Sequence, residues 1–113
     1  MEFKLIVAAV KPDITDRIVD AAKAAGATGA TIVPGHGTGV HEAKTFFGLS
    51  LEAQTDLVFF LLAASRVDAI LRAIVKEGKF REPGAGIAFV LPVEGVAGLE
   101  SQIQEQRRAE EPE

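Results

Sequence analysis

The sequence predicts an α+β fold in which four strands and two helices follow one another as β-α-β-β-α-β. Apolar runs of strand length alternate with segments whose apolar residues recur at the helical period. The chain also repeats itself, without a gap, after a shift of 52 residues. The repeat aligns residues 3–10 with residues 55–62, Asp16 with Asp68, and Gly26 with Gly78. Each half of the chain is therefore expected to form one β-α-β unit.

The first half predicts a strand at residues 3–10, a helix at residues 13–25 and a second strand at residues 28–33. The first run is apolar apart from Lys4, as in a central strand. Asp13 is expected to cap the helix by accepting free backbone N–H groups, and Gly26 is expected to end it. The apolar face of this helix comprises Ile14, Ile18, Val19, Ala22 and Ala25.

The second half predicts a strand at residues 57–62, a helix that begins at Ser65 and closes at Gly78, and a last strand at residues 87–93. The apolar residues with helical spacing are Val67, Ile70, Leu71, Ile74 and Val75. Two such units together form a ferredoxin-like domain, an antiparallel sheet of four strands with both helices on one face.

The second face of this sheet is left uncovered by the predicted helices. Residues 5–10 and 58–62 are apolar on both faces, so the open face needs a cover, most simply a neighbouring subunit. The sequence therefore predicts an oligomer. We assign residues 1–99 to the domain and expect residues 100–113, rich in Gln, Glu and Arg, to be a frayed helix or disordered.

Composition excludes several classes of function. The chain has 113 residues, a formal net charge of −4 and no cysteine. The negative charge opposes a surface that tracks nucleic acid, and the lack of cysteine excludes disulfides and thiolate chemistry. No apolar run reaches the ~18 to 20 residues of a membrane span. We therefore expect a cytoplasmic protein that inserts into no membrane.

A glycine-rich segment follows the second predicted strand. Pro34-Gly35-His36-Gly37-Thr38-Gly39 places three glycines in five residues, directly after the β-branched run Thr31-Ile32-Val33. Backbone without Cβ atoms can approach a ligand closely, and its N–H groups can bind a phosphate. The same pattern is also typical of a tight turn, so the segment alone leaves both interpretations open.

Residues 36–54 form a connection far longer than an ordinary hairpin turn of about 2 to 5 residues. A connection of this length is expected to carry function. His36, His41 and Glu42 are candidate metal ligands, although their spacing matches no known site. Phe46, Phe47 and Leu49 are suited either to a partner interface or to packing against the protein itself.

Several motifs, in this order, resemble those of the PII signalling proteins over most of residues 3–99. They are Lys11-Pro12 after the first strand, Gly26-Ala27-Thr28-Gly29-Ala30-Thr31 after the helix, Gly37-x-Gly39, Gly78-Lys79, and Gly84-Ala85-Gly86 before the last strand. The resemblance implies a homotrimer that binds adenine nucleotides in the clefts between subunits. It implies a regulator of nitrogen or carbon metabolism rather than an enzyme.

The resemblance also assigns residues to the nucleotide and to the partner. Thr31 would meet the adenine, Gly37, Thr38 and Gly39 would line the base and ribose, and Gly84, Ala85 and Gly86 of a neighbouring subunit would approach the phosphates. Residues 36–54 would dock onto a transporter, a metabolic enzyme or a transcription factor. The loop residues expected at this partner are His41, Glu42, Lys44, Phe46 and Phe47.

Departures from the family pattern bear on which nucleotide is bound. The family's basic residue after the second glycine loop is Ile87 here, and its two arginines near the last strand align with Gly95 and with Ala97 or Gly98. Fewer cations favour AMP or ADP over ATP, with Lys79 and Arg81 as substitutes. A small anion such as bicarbonate is a candidate co-effector.

The long loop is shorter than in the family, and the chain has no tyrosine for the nucleotidylation that some members use. These departures argue against classical control of nitrogen assimilation. They favour a PII-like protein tied to a transporter or to carbon or polyamine status.

Two alternatives come from other classes of protein. One is a metal-binding, CutA-like trimer, with His36 and His41 as candidate ligands. The other is a small ferredoxin-like enzyme that uses one of these histidines as a base. An acylphosphatase is excluded because the chain contains no asparagine.

Overall fold

The computed structural model describes residues 2–36, 45–46, 49–50 and 54–99. Its elements are β1 (Phe3–Val10), α1 (Thr15–Ala24), β2 (Thr31–Gly35), β3 (Thr45–Phe46), β4 (Leu49–Ser50), β5 (Thr55–Ala63), α2 (Val67–Gly78) and β6 (Gly86–Val93). Short 3-10 turns at Pro12–Ile14 and Ala64–Arg66 precede the two helices.

Four strands form one antiparallel sheet in the order β2-β5-β1-β6. The two strands that begin the repeats, β1 and β5, lie side by side in the centre, and β2 and β6 form the edges. This order is that of the predicted ferredoxin-like fold, so the fold class is confirmed.

The internal repeat is visible in the structure. The 3-10 turn at Ala64–Arg66 lies 52 residues after the turn at Pro12–Ile14, and α2 begins 52 residues after α1. Neither helix has a side-chain cap at its N-terminus. The prediction that Asp13 caps the first helix was therefore wrong, as was a helix start at Ser65, because a 3-10 turn opens each helix instead.

One face of the sheet packs against both helices and forms the core. The largest fully buried side chains are Ile6, Val10, Ile18, Val58, Phe60, Ile70 and Ile74. They come from β1, β5 and the apolar faces predicted for α1 and α2. Paired residues of an antiparallel sheet share a face, so Ile6 and Phe60, which are directly opposite, both point at the helices.

The edge strands differ from prediction at their ends. The second strand was predicted at residues 28–33, but β2 runs from Thr31 to Gly35 and includes Pro34. Pro92 lies within β6 in the same way. Proline has no backbone N–H to donate to a neighbouring strand. It is tolerated here because β2 and β6 lie at the edges of the sheet, where one side of each strand has no partner strand in this sheet.

The structure describes two short strands inside the long connection. Thr45 pairs with Ser50, and Phe46 pairs with Leu49, in a separate two-stranded sheet. Strands of two residues give no alternating pattern that a sequence reading can detect.

Candidate ligand-binding site

The two glycine-containing segments lie at the same end of the main sheet. Val10, at the end of β1, pairs with Gly86 of β6 and with Asp56 of β5, and Asp56 also pairs with Pro34 of β2. The segment after Gly35 and the loop before Gly86 therefore leave the sheet at one end. Because β2 and β6 are opposite edges, three strand spacings of ~4.8 Å separate them by roughly 14 Å.

The first segment is only partly described. Thr31 is exposed and pairs with Phe59, which places it on the sheet face away from the helices. His36 is exposed. Gly37, Thr38 and Gly39 lie outside the described residues, as do His41, Glu42, Lys44 and Phe47. Phe46 lies on β3.

The second loop begins where α2 ends. The N–H of Lys79 donates to the carbonyl oxygen of Lys76 at 3.3 Å, and the N–H of Phe80 donates to that of Val75 at 3.2 Å. These two bonds are the Schellman pattern that closes a helix. The left-handed position, usually glycine, is held by Lys79 with φ 53°. Gly78, predicted to close the helix, is instead its last residue.

Phe80 fixes the loop against the body of the domain. A Cβ atom on Gly78 would lie 2.2 Å from Phe80 Cε1, and one on Gly86 would lie 3.0 Å from the same atom. The Gly86 position would also lie 2.8 Å from the carbonyl oxygen of Ala9. The ring therefore occupies space that two glycines leave open, and it joins the helix end to the start of β6.

The tip of the loop consists of two successive turns. The N–H of Glu82 donates to the Lys79 carbonyl at 2.9 Å, and the N–H of Ala85 donates to the Glu82 carbonyl at 3.2 Å. Gly84 has φ 76° and Gly86 has φ 152°, conformations that other residues rarely adopt. This explains the Gly-Ala-Gly pattern, since the backbone needs glycine on both sides of Ala85.

The two cations that were predicted to meet phosphate both line a groove beside α2, but only Lys79 also reaches the cleft near α1. Lys79 lines a cleft of about 240 Å³ between the start of α1 and the second loop, together with Ala85. Arg81 does not line this cleft, and lies on a larger groove beside α2. Lys11 and Arg17 also line the cleft, and sequence reasoning missed them as site residues. Lys11 was visible in the Lys11-Pro12 motif, but nothing in the sequence links Arg17 to a distant loop.

A part-buried hydrogen bond connects α1 to this end of the sheet. Thr15 is 4% exposed, and its hydroxyl donates to Asp56 Oδ2 at 2.6 Å. Asp56 stands near the start of β5, where it pairs with Pro34, and its neighbour Thr55 pairs with Gly35. The bond thus links the N-terminus of α1 to the strand on which the glycine-rich segment is anchored.

Among the residues described, no group of three or more His, Asp or Glu side chains could hold a metal ion. The segment after β6 also lacks cations where the family resemblance expects them. Gly95, Val96, Ala97 and Gly98 are exposed, and a Cβ on Gly95 would meet no atom within 4 Å.

Comparison with known proteins gives the family. The model of the nitrogen regulatory protein P-II family matches residues 3–102. The chain therefore belongs to the P-II family, whose members are signalling regulators, and this confirms the resemblance seen in the motifs.

A solved structure agrees with the family match. The crystal structure of a chain from Thermus thermophilus, assigned as a PII-like signaling protein, superposes with a TM-score of 0.62 at 26% sequence identity. The match covers 82% of this chain and 87% of the other. A search of curated proteins found no match. No helix in the described part of the chain has the length and apolar character needed to cross a membrane.

Proposed function

We propose that this protein is a cytoplasmic, homotrimeric sensor of adenine nucleotides that regulates a partner protein through residues 36–54. The observation that carries the proposal is the position of the two glycine-containing segments. They leave the sheet at the same end but at opposite edges, roughly 14 Å apart. A second copy whose β6 edge approaches the β2 edge would bring one segment of each subunit onto a single ligand.

The open face of the sheet supports assembly of several copies. Phe89 and Leu91 on β6 are 42% and 43% exposed, and pair with Val7 and Leu5 on the face away from the helices. Exposed aromatic and branched side chains on one continuous face mark an interaction surface. Family membership supports a regulatory role and makes a trimer the assembly we propose.

The second loop supplies the proposed phosphate contacts. Gly84 and Gly86 lack side chains, so a phosphate can approach the backbone of residues 84–86 closely. The N–H of Ala85 already donates to the Glu82 carbonyl, so the backbone donor proposed for the phosphate is the N–H of Gly84. Lys79 and Arg81, which precede these glycines in the loop, are exposed cations that could also meet the phosphate. On the other subunit, Thr31, Gly37, Thr38 and Gly39 would contact the base and ribose.

The missing cations favour a nucleotide with few phosphates. Ile87, Gly95 and Ala97 or Gly98 stand where the family resemblance expects basic side chains. Each charge-assisted hydrogen bond lost is worth about 1.5–3 kcal/mol. We therefore propose AMP or ADP as effector ahead of ATP, with a small anion such as bicarbonate as co-effector.

Binding would act on the partner through the long connection. β2 leads directly into residues 36–54, so a ligand at Gly37–Gly39 would shift the balance between conformations of that connection. The side chains proposed to meet the partner are His41, Glu42, Lys44, Phe46 and Phe47. A transporter or a metabolic enzyme is the proposed target.

Calorimetric titration tests this function. We expect saturable binding of AMP and ADP, with ATP weaker, and stronger binding when bicarbonate is present if it is a co-effector. The matched variants are Gly84→Val, which forces a branched side chain into a left-handed position, and Gly29→Ala, whose Cβ would meet no atom within 4 Å. Gly84→Val should abolish binding and Gly29→Ala should leave it unchanged. If none of the three nucleotides binds the unaltered protein, the proposal is wrong.

A further inference from the structure

A groove of about 600 Å³ runs along α2 and the turn after it. Every residue that lines it lies between Leu71 and Glu82, and none comes from α1 or the sheet. Ala73 and Glu77, on the other flank of α2, line a second depression with α1, and Lys76 and Lys79 lie between the two and line both. The groove therefore lies on the flank of α2 that faces away from α1.

Four cations surround this groove. Arg72, Lys76, Lys79 and Arg81 all line it and all are exposed, and Glu82 is the one acidic residue among the lining residues. Arg72 and Lys76 are one helical turn apart, and residues 72–79 span roughly 10 Å along the helix axis. This positive surface contrasts with the net charge of −4 of the whole chain.

The floor of the groove is apolar. Leu71 and Val75 are four residues apart on α2, so they lie on the same side of the helix, and both are half-buried. Phe80, also half-buried, extends this surface beyond the helix end. Cations around an apolar floor suit a ligand that carries several negative charges and one apolar group.

We propose that this groove docks an acidic segment of a partner protein. An apolar side chain of the segment would rest on Leu71, Val75 and Phe80, and its carboxylates would meet the surrounding cations. In an extended peptide, residues three apart are ~10 Å apart, which matches the span of the cations along α2. The charge of the groove would guide the encounter and orient the segment.

The backbone of the groove favours a peptide over a compact phosphate ligand. The N–H groups of Lys79, Phe80 and Glu82 already donate to carbonyl oxygens of the protein. The C-terminal end of a helix also carries partial negative charge, which disfavours the binding of a compact anion such as phosphate close to the backbone. Carboxylates spread along a peptide can instead reach the ends of the long cationic side chains.

This docking surface shares Lys79 and Arg81 with the proposed nucleotide site, but it extends along α2 beyond that site. The apolar sheet face lies opposite the helices, so assembly through that face leaves the outer flank of α2 accessible. Arg72 and Lys76 have no part in the nucleotide contacts proposed above. Substitutions at these two positions therefore test the groove without disturbing nucleotide binding.

Fluorescence anisotropy with a labelled peptide tests the proposal. The probe is a peptide with Glu at every third position, one Leu near its centre and Gly elsewhere, and a version with Gln in place of Glu is the peptide control. We expect Arg72→Glu and Lys76→Glu each to weaken binding by about tenfold or more. Lys23→Glu, which reverses an exposed lysine of α1 that does not line the groove, should change it less than about twofold.

Further outcomes decide the details. Replacing the central Leu of the peptide by Gly should weaken binding, and ADP titrations of Arg72→Glu should match those of the unaltered protein. Equal losses with Lys23→Glu and Arg72→Glu would show only diffuse attraction and overturn the proposal. Binding of inorganic phosphate that depends on Arg72, with no peptide binding, would make this a small-anion site. A change in molecular mass with Arg72→Glu would make it an interface between copies; either result contradicts the proposal.

Discussion

At the scale of single residues, Gly78 and Phe80 determine how the second loop is attached. Gly78 is a buried helical residue, and the space its missing side chain leaves is filled by the ring of Phe80. The sequence pattern explains a glycine at this position as the end of a helix, but that is only half of the reason why glycine is needed there. The other half is a contact between side chain and backbone that no periodicity reveals.

Gly78→Ala is expected to destabilise the protein although alanine is the better helix former. The added Cβ would lie 2.2 Å from Phe80 Cε1 and 3.1 Å from Ile18 Cδ1. Overpacking of this kind costs about 1–3 kcal/mol, more than the ~1 kcal/mol gained in helix propensity. Urea unfolding measures the difference.

Gly29→Ala is the control for this substitution, because a Cβ there meets no atom within 4 Å. Its free energy of unfolding should change by less than about 0.5 kcal/mol. In a Phe80→Ala background, the cost of Gly78→Ala should shrink. An undiminished cost in that background would show that Phe80 is not the cause.

At the scale of elements, the helices were predicted better at their ends than at their beginnings. The apolar faces of α1 and α2 follow the helical period, and Gly26 follows α1 with φ 122° as expected. The first residues of the helices were predicted wrongly, because an aspartate such as Asp13 or a serine such as Ser65 is typical of the residue that caps a helix N-terminus. Here 3-10 turns precede both helices instead.

The end of α2 offers a prediction about stability. Lys79 occupies a left-handed conformation, which costs a residue with a Cβ roughly 1–2 kcal/mol. Lys79→Gly should therefore raise the free energy of unfolding by about 0.5–1 kcal/mol, after the greater entropy of unfolded glycine is deducted. Urea unfolding measures this, and nucleotide titration of the same variant shows whether the lysine is kept for binding.

Lys76→Gly is the matched control, since it makes the same substitution inside α2. Glycine in a helix interior should lower stability by about 1 kcal/mol. The two substitutions should thus change stability in opposite directions. A loss of stability in both would mean that the left-handed lysine is not strained.

At the scale of the whole molecule, the sequence predicted an α+β sheet with one face left uncovered. Apolar residues on both faces of the central strands carried that prediction, and the structure bears out its geometry. The relative position of the two glycine segments was harder to predict, because it depends on strand order and register. The position of Arg17 in the cleft and the groove beside α2 also depend on how the chain folds, so the sequence pattern does not reveal them.

The open face predicts how the chain assembles. Leu91→Glu places a charge on this face, and should reduce the mass measured by sedimentation or light scattering to that of a smaller species. Ile32→Glu is the control, because Ile32 is 44% exposed against 43% for Leu91 but pairs with Val58 on the helix side. Equal effects of the two substitutions would contradict assembly through the open face.

Each proposed nucleotide site is shared between two subunits, and assemblies that mix two variants provide a test of this arrangement. Gly37→Val would disable the first segment and Gly84→Val the second, and each variant alone should not bind ADP. When the two are co-expressed in equal amounts, a site with both segments intact forms at about a quarter of the interfaces of a randomly mixed ring. ADP binding should therefore return at about a quarter of the level seen with the unaltered protein. If the unaltered protein binds ADP but the mixture does not, the site lies within one subunit and the proposed sharing between subunits is wrong.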